Sequence, residues 1–167
     1  MKLEESAFVK RLEGIRDDKD RAALAKLRRG LGKKMGTPEM YPYVVPFLPS
    51  TEWQHENYFL IASLFAFHPD PAPRGGTMGA VFRQVGEGSK SESLEKRFIH
   101  LMSADSEDVG ESLRHAISLA RSKRVAVNYH QLLFDLNFWS HPDRFVQLRW
   151  AKDFWGIESP KHEKGED

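Results

Sequence analysis

The sequence of 167 residues contains no cysteine. That absence excludes a disulfide framework and any thiolate metal site, and it suits a protein of the cytoplasm. Long apolar runs are missing too. The longest, 58–67, is half the roughly twenty residues a membrane helix needs, so no membrane association is expected. Residues 1–5, Met1-Lys-Leu-Glu-Glu5, hold no apolar core of a secretory signal. Metal motifs are absent: the seven histidines form neither His-Glu-x-x-His nor a clustered His/Asp set. No nucleophile elbow occurs. Gly30-Leu-Gly-Lys-Lys34 and Arg74-Gly-Gly76 depart from the phosphate-loop pattern G-x-x-x-x-G-K-[ST], and neither follows a strand. No catalytic residue, metal or cofactor is therefore read from the chain. One more absence is local. Within 21–34, six of fourteen residues are basic and none is acidic, although the formal net charge of the chain is only +1.

What is present is ordinary globular material. Hydrophobic residues make up 40% and charged residues 29%, and eleven Phe, four Trp and four Tyr suffice for a sizeable core. The apolar spacing is helical almost throughout. It predicts an all-α fold, a compact bundle of about eight helices in two halves. The N-terminal half is 1–88, the C-terminal bundle 89–157, and a polar tail, read as disordered, 158–167. Helices are expected over 4–15, from Asp18 or Asp20 to Gly30 and Gly32, and from Ser50 to Phe67 with Trp53, Tyr58, Ile61, Ala62 and Phe65 as the buried stripe. Thr37 and Thr77 read as caps, the first with Pro38 at the opening helical position. The proline-rich 68–76 and the glycine-rich 86–91 read as loops. Further helices are expected over 93–102, from Asp105 or Ser106 to Arg124, from Asn128 to Trp139, and from Ser140 or His141 to Trp155. Only 125–127 has any strand character. His-Pro-Asp occurs at 68–70 and 141–143, and the second is read as a helix cap with Pro142 near the first position. Leu148, Ala151 and Trp155 form the expected buried stripe of the last helix, which leaves Trp150 outside and exposed.

The positive charge is concentrated rather than spread, and concentrated charge creates a field that the near-neutral total hides. Leu24, Leu27 and Leu31 share one side of the expected basic helix; Lys26, Arg29 and Lys33 share another. Arg28 and Lys34 extend the cluster. A merely solvated face normally carries both signs, so contact with a polyanion is the favoured reading. A second positive zone holds Arg114, Arg121, Lys123 and Arg124 with no acid between 112 and 127. Arg114, Ser118 and Arg121 are expected to share a face. Arg83, Lys96 and Arg97 lie on neighbouring helices, and Arg144, Arg149 and Lys152 on the last one. Cations scattered over several helices suit backbone tracking rather than base reading. The alternative is a helical adaptor whose basic face docks an acidic protein.

Three segments in order resemble the CasB small subunit of the type I-E CRISPR Cascade complex. The first is Ala25-Lys-Leu-Arg-Arg29 followed by Tyr43-Val-Val-Pro-Phe47. The second is Lys96-Arg-Phe-Ile-His-Leu-Met-Ser-Ala-Asp105 followed by Leu113-Arg-His-Ala-Ile-Ser-Leu119. The third is Val127-Asn-Tyr-His-Gln-Leu-Leu-Phe-Asp-Leu136, then Trp139-Ser-His-Pro-Asp-Arg144 and Gln147-Leu-Arg-Trp-Ala-Lys-Asp-Phe154. The resemblance spans roughly 20–155. It implies an all-helical, non-enzymatic subunit. Such a subunit sits as two copies along a guide-RNA complex with the other Cascade subunits, stabilising target DNA and guiding the displaced strand. By the same resemblance, Arg28 and Arg29 match the family's paired arginines, Arg97 and Arg114 its later basic positions, and Arg144 and Arg149 its closing motif. By the same resemblance, Ser103 stands where some relatives carry arginine.

Overall fold

The computed structural model describes residues 5–72, 76–87 and 91–156, and every regular element among them is helical. In chain order these are α1 (Ala7–Asp17), α2 (Arg21–Arg28), α3 (Tyr41–Val44), α4 (His55–Phe67), α5 (Met78–Val85), α6 (Glu92–Ser103), α7 (Val109–Ser122), α8 (Tyr129–Asn137) and α9 (Phe145–Trp155). Short 3-10 turns fill Pro38–Met40, Val45–Phe47 and Glu52–Gln54. The all-α expectation holds, and among the described residues 125–127 pairs with no strand. Residues 1–4, most of Arg74-Gly-Gly76, the centre of the 86–91 connector and the tail 158–167 lie outside the described residues.

Side-chain caps set most helix starts. Ser6, Asp20, Thr77, Ser91 and Asn128 each accept a backbone N–H from the first turn of the helix they precede. Thr37 does not: its hydroxyl makes no cap bond, and the turn it opens is 3-10. Pro42 and Pro46 follow at a spacing of four, each removing a helical donor, so 38–48 breaks into single turns.

The centre of the bundle is α4, whose Phe59, Ile61, Ala62, Leu64, Phe65 and Ala66 are all buried. A helix apolar on nearly every side belongs inside, and α1, α2, α3, α7 and α8 all pack on it. α5 packs on α9 and α6 on α7. The α5–α9 approach depends on Gly79, where an added Cβ would fall 1.9 Å from the Trp150 carbonyl oxygen. One core runs from Phe8 to Trp150.

Several local expectations are corrected. Trp53 is 64% exposed rather than buried, because 52–54 is a 3-10 turn and α4 starts only at His55. Trp150 is fully buried, whereas Leu148 and Trp155 are exposed. The inward face of α9 is Val146, Gln147 and Trp150, and a polar residue in that stripe disguises it. Pro142 does not start α9. His141 Nδ1 accepts the Asp143 N–H at 3.2 Å to close a local turn, and Arg144, at φ 51°, reverses the chain before the helix begins. Asp105 organises the turn ahead of α7, its carboxylate accepting the N–H groups of Glu107 and Asp108, both at 3.0 Å. The basic helix ends at Arg28, with Gly32 left-handed at φ 77°, so Lys33 leaves the face of Lys26 and Arg29.

Candidate nucleic-acid interface

The early end of α2 decides where the basic stretch goes. Residues 30–34 turn back as a loop and lie against α7: a Cβ on Gly32 would meet Arg114 Nη1 at 3.2 Å. Lys33, Lys34 and Arg114 line one groove of about 150 Å³. Three carboxylates, Glu56, Glu107 and Glu111, line it as well, and Glu111 lies 3.6 Å from the Arg114 guanidinium. The groove is therefore mixed in sign.

The other side of α7 faces α6 across a larger cleft of about 680 Å³. Lys96, Arg97 and His100 come from α6, and His115 with small polar residues such as Ser112 and Ser118 from α7. Among the described residues no carboxylate lines this cleft. Ser118 thus borders the α6 side, while Arg121 points to α4, its guanidinium 4.6 Å from the Phe67 ring centroid. Charge counting along the sequence does not single out the two histidines. A signal for His115 exists: with Ser112, Ser118 and Ser122 it recurs at helical spacing as a polar face on α7.

The remaining cations divide by what they touch. Arg29 pairs with Glu39 at 2.7 Å, both exposed. Arg83 donates to the Gly156 carbonyl at 3.0 Å and Arg144 to the Met102 carbonyl at 2.8 Å. Arg149 sits 3.7 Å from Asp135 and over the rings of Phe134 and Phe145, so its charge belongs to the fold. Lys26, Arg28, Lys33, Lys34, Lys96 and Arg97 make no ion pair or side-chain hydrogen bond among the described residues; Lys26 is half-buried and the others are exposed.

A buried polar centre lies beyond the reach of the sequence pattern. The Asp135 carboxylate, without solvent exposure, accepts from Trp150 Nε1 at 2.7 Å and Gln131 Nε2 at 2.8 Å. Burial pushes its pKa up to about 6, against the opposing pull of those two hydrogen bonds and of Arg149. Among the described residues no group of three His, Asp or Glu is placed to hold a metal ion, and no helix is long and apolar enough to cross a membrane.

Comparison with known proteins gives consistent matches. The model of the family CRISPR-associated protein Cse2 matches residues 23–155. A CRISPR-associated protein Cse2 from Thermus thermophilus is 34% identical over 161 residues, covering 94% of this chain and 91% of the relative. A crystal structure of a Cse2-family protein from Thermus thermophilus is 32% identical with a TM-score of 0.79, covering 90% of this chain and 96% of the other. A chain of a structure described as a CRISPR RNA-guided surveillance complex is 27% identical with a TM-score of 0.75, covering 89% of each chain.

Proposed function

This chain belongs to the CRISPR-associated Cse2 family, and from that premise we propose that it is a non-enzymatic, nucleic-acid-binding subunit of a type I-E CRISPR surveillance complex. In that role it works in the cytoplasm beside the other Cascade subunits and a second copy of itself. It steadies target DNA on the guide RNA and guides the displaced strand. A relative of similar fold occurs in an RNA-guided surveillance complex, which supports the assembly part of the reading.

One observation carries the nucleic-acid part. The loop lysines Lys33 and Lys34 reach Arg114 on one side of α7, and His115 faces Lys96 and Arg97 on the other. Two sequence-distant basic zones thus border a single helix, the loop side shared with Glu56, Glu107 and Glu111 and the α6 side lined by no carboxylate among the described residues. Cations arranged this way neutralise phosphates and read no sequence, which suits a complex where base pairing does the reading. Arg83, Arg144 and Arg149 are committed to carbonyls, a carboxylate and rings of the fold. Phosphate contact accordingly falls first to Lys26, Arg28, Lys33, Lys34, Lys96 and Arg97, with Arg29, Arg114 and Arg121 beside them.

The test is binding of the full chain to fluorescent single-stranded DNA across a salt series. Each phosphate contact contributes about −0.7 to the log–log slope. Lys96→Ala with Arg97→Ala should flatten that slope by about 1.4. Binding with an unchanged slope would remove α6 from the interface. No binding at low salt, together with no loss of target DNA from a complex reconstituted with the double variant, overturns the reading.

A further inference from the structure

The α6–α7 cleft differs from a plain row of cations in having an apolar floor. Leu101, Ala116 and the half-buried Leu119 form its base. Lys96 and Arg97 stand on the rim, and one wall contributes the His100 imidazole, the other that of His115. Among the described residues no carboxylate lines the cleft; Glu111, which lies 3.3 Å from His115, borders the neighbouring groove. A bare phosphate backbone would use the rim and leave the floor facing water. A ligand that is planar and apolar at one end and anionic at the other matches both. The volume, about 680 Å³, falls within the roughly 300–1,000 Å³ of small-molecule sites, whereas the loop–α7 groove is far smaller and mixed in charge.

We propose that the α6–α7 cleft seats an unpaired nucleobase of single-stranded DNA, with the adjoining phosphate on Lys96 and Arg97. The base lies on the Leu119 floor and against the imidazole faces, which stack on bases as other aromatic rings do. An acidic peptide without an aromatic side chain shares the anionic character but has no planar apolar end for this floor. The proposal rests on the nucleic-acid reading above and adds a base contact to what is otherwise backbone tracking.

The experiment compares two labelled oligonucleotides of equal length and equal phosphate count, one of thymidines and one fully abasic, by anisotropy with the full chain. The abasic strand should bind at least about fivefold more weakly, the low end of one base–aromatic stack, with the same salt slope. His115→Ala and, separately, Leu119→Gln should shrink that preference to under about twofold without changing the slope. His115 is 76% exposed in its side chain, so its variant leaves the fold intact. Equal affinity for both strands with a steep slope overturns the base site and leaves backbone binding standing. A preference that survives both variants places the base elsewhere and also overturns it. Polyglutamate of matching charge displacing the thymidine strand as well as unlabelled strand does would assign the cleft to an acidic protein segment instead. No binding of either strand overturns the base site and, together with no loss of target DNA from the reconstituted complex, the nucleic-acid reading itself.

Discussion

The Trp150 indole donates a 2.7 Å hydrogen bond to the Asp135 carboxylate, and solvent reaches neither residue. α8 and α9 are thereby joined through a buried acid whose countercharge, Arg149, stands at 3.7 Å. Because burial raises the folded-state pKa from 3.8 to about 6, the folded protein holds this proton more tightly than the unfolded chain does. Its stabilising contribution is thus complete below about pH 4 and is lost as pH rises through about 6. The interval corresponds to an upper bound of roughly 3 kcal/mol at 1.36 kcal/mol per pH unit. Asp135→Asn keeps an acceptor for Trp150 and cannot ionise. Denaturant melts at a series of pH values should show the wild-type protein losing stability relative to this variant between pH 4 and 6. Parallel curves would show that Asp135 titrates normally.

Gly79 makes a second, steric prediction. Ala in a helix interior normally gains about 1 kcal/mol over Gly, and less in the first turn, where Gly79 stands. Here the new methyl would lie 1.9 Å from a backbone oxygen of α9, which no rotamer change can relieve. α5 and α9 must separate, and overpacking of this kind costs about 1–3 kcal/mol or more. Gly79→Ala should lower Tm by about 5 °C or more in a thermal melt. A raised Tm would mean that the α5–α9 seam is loose.

Two tryptophans, Trp53 and Trp150, show where sequence reasoning works and where it stops. Helical periodicity is enough to find the bundle and the caps Asp20, Thr77 and Asn128, because apolar spacing and hydroxyl or carboxylate caps are local properties. Trp53 falls on the α4 stripe only if a regular α-helix runs from Ser50, but a 3-10 turn advances about 120° per residue rather than 100° and moves the indole outward. Trp150 falls outside the apolar stripe of α9 because the face it shares with Val146 contains Gln147 and leans on Asp135, and buried polar partners are invisible to an apolar count. The candidate site is legible only in part. The basic residues stand out in the sequence, but their meeting across α7 depends on the loop after Gly30 folding back, a tertiary fact that charge counting along the chain does not contain.

Glu111 supplies a test of that meeting. It lies 3.6 Å from Arg114 and 3.3 Å from His115, holding negative charge between the two grooves. Glu111→Gln removes the charge without changing size. Affinity for single-stranded DNA should rise severalfold, and the salt slope should steepen by up to about 0.7 as Arg114 is released for a phosphate. The effect on stability should be small, since exposed ion pairs contribute only about 0–1 kcal/mol. A loss of affinity in this variant would argue against a role for the α7 ridge.

Arg28 and Arg29 are adjacent in sequence and unequal in the structure. Arg29 is held by Glu39 at 2.7 Å, whereas Arg28 is exposed and has no partner among the described residues. A phosphate recruiting Arg29 must compete with a carboxylate already in place, while one recruiting Arg28 displaces only water. Arg28→Ala should therefore weaken single-stranded DNA binding more than Arg29→Ala does, and flatten the salt slope by about 0.7. Glu39→Gln should reduce the asymmetry by freeing Arg29. The double variant Arg28→Ala with Arg29→Ala should bind most weakly and melt close to wild type, since surface changes of this kind shift stability by about 0.5 kcal/mol or less. If the two single variants are indistinguishable and Glu39→Gln changes neither, the paired arginines act only through the net field of α2. The contacts would then lie on the loop lysines and on α6.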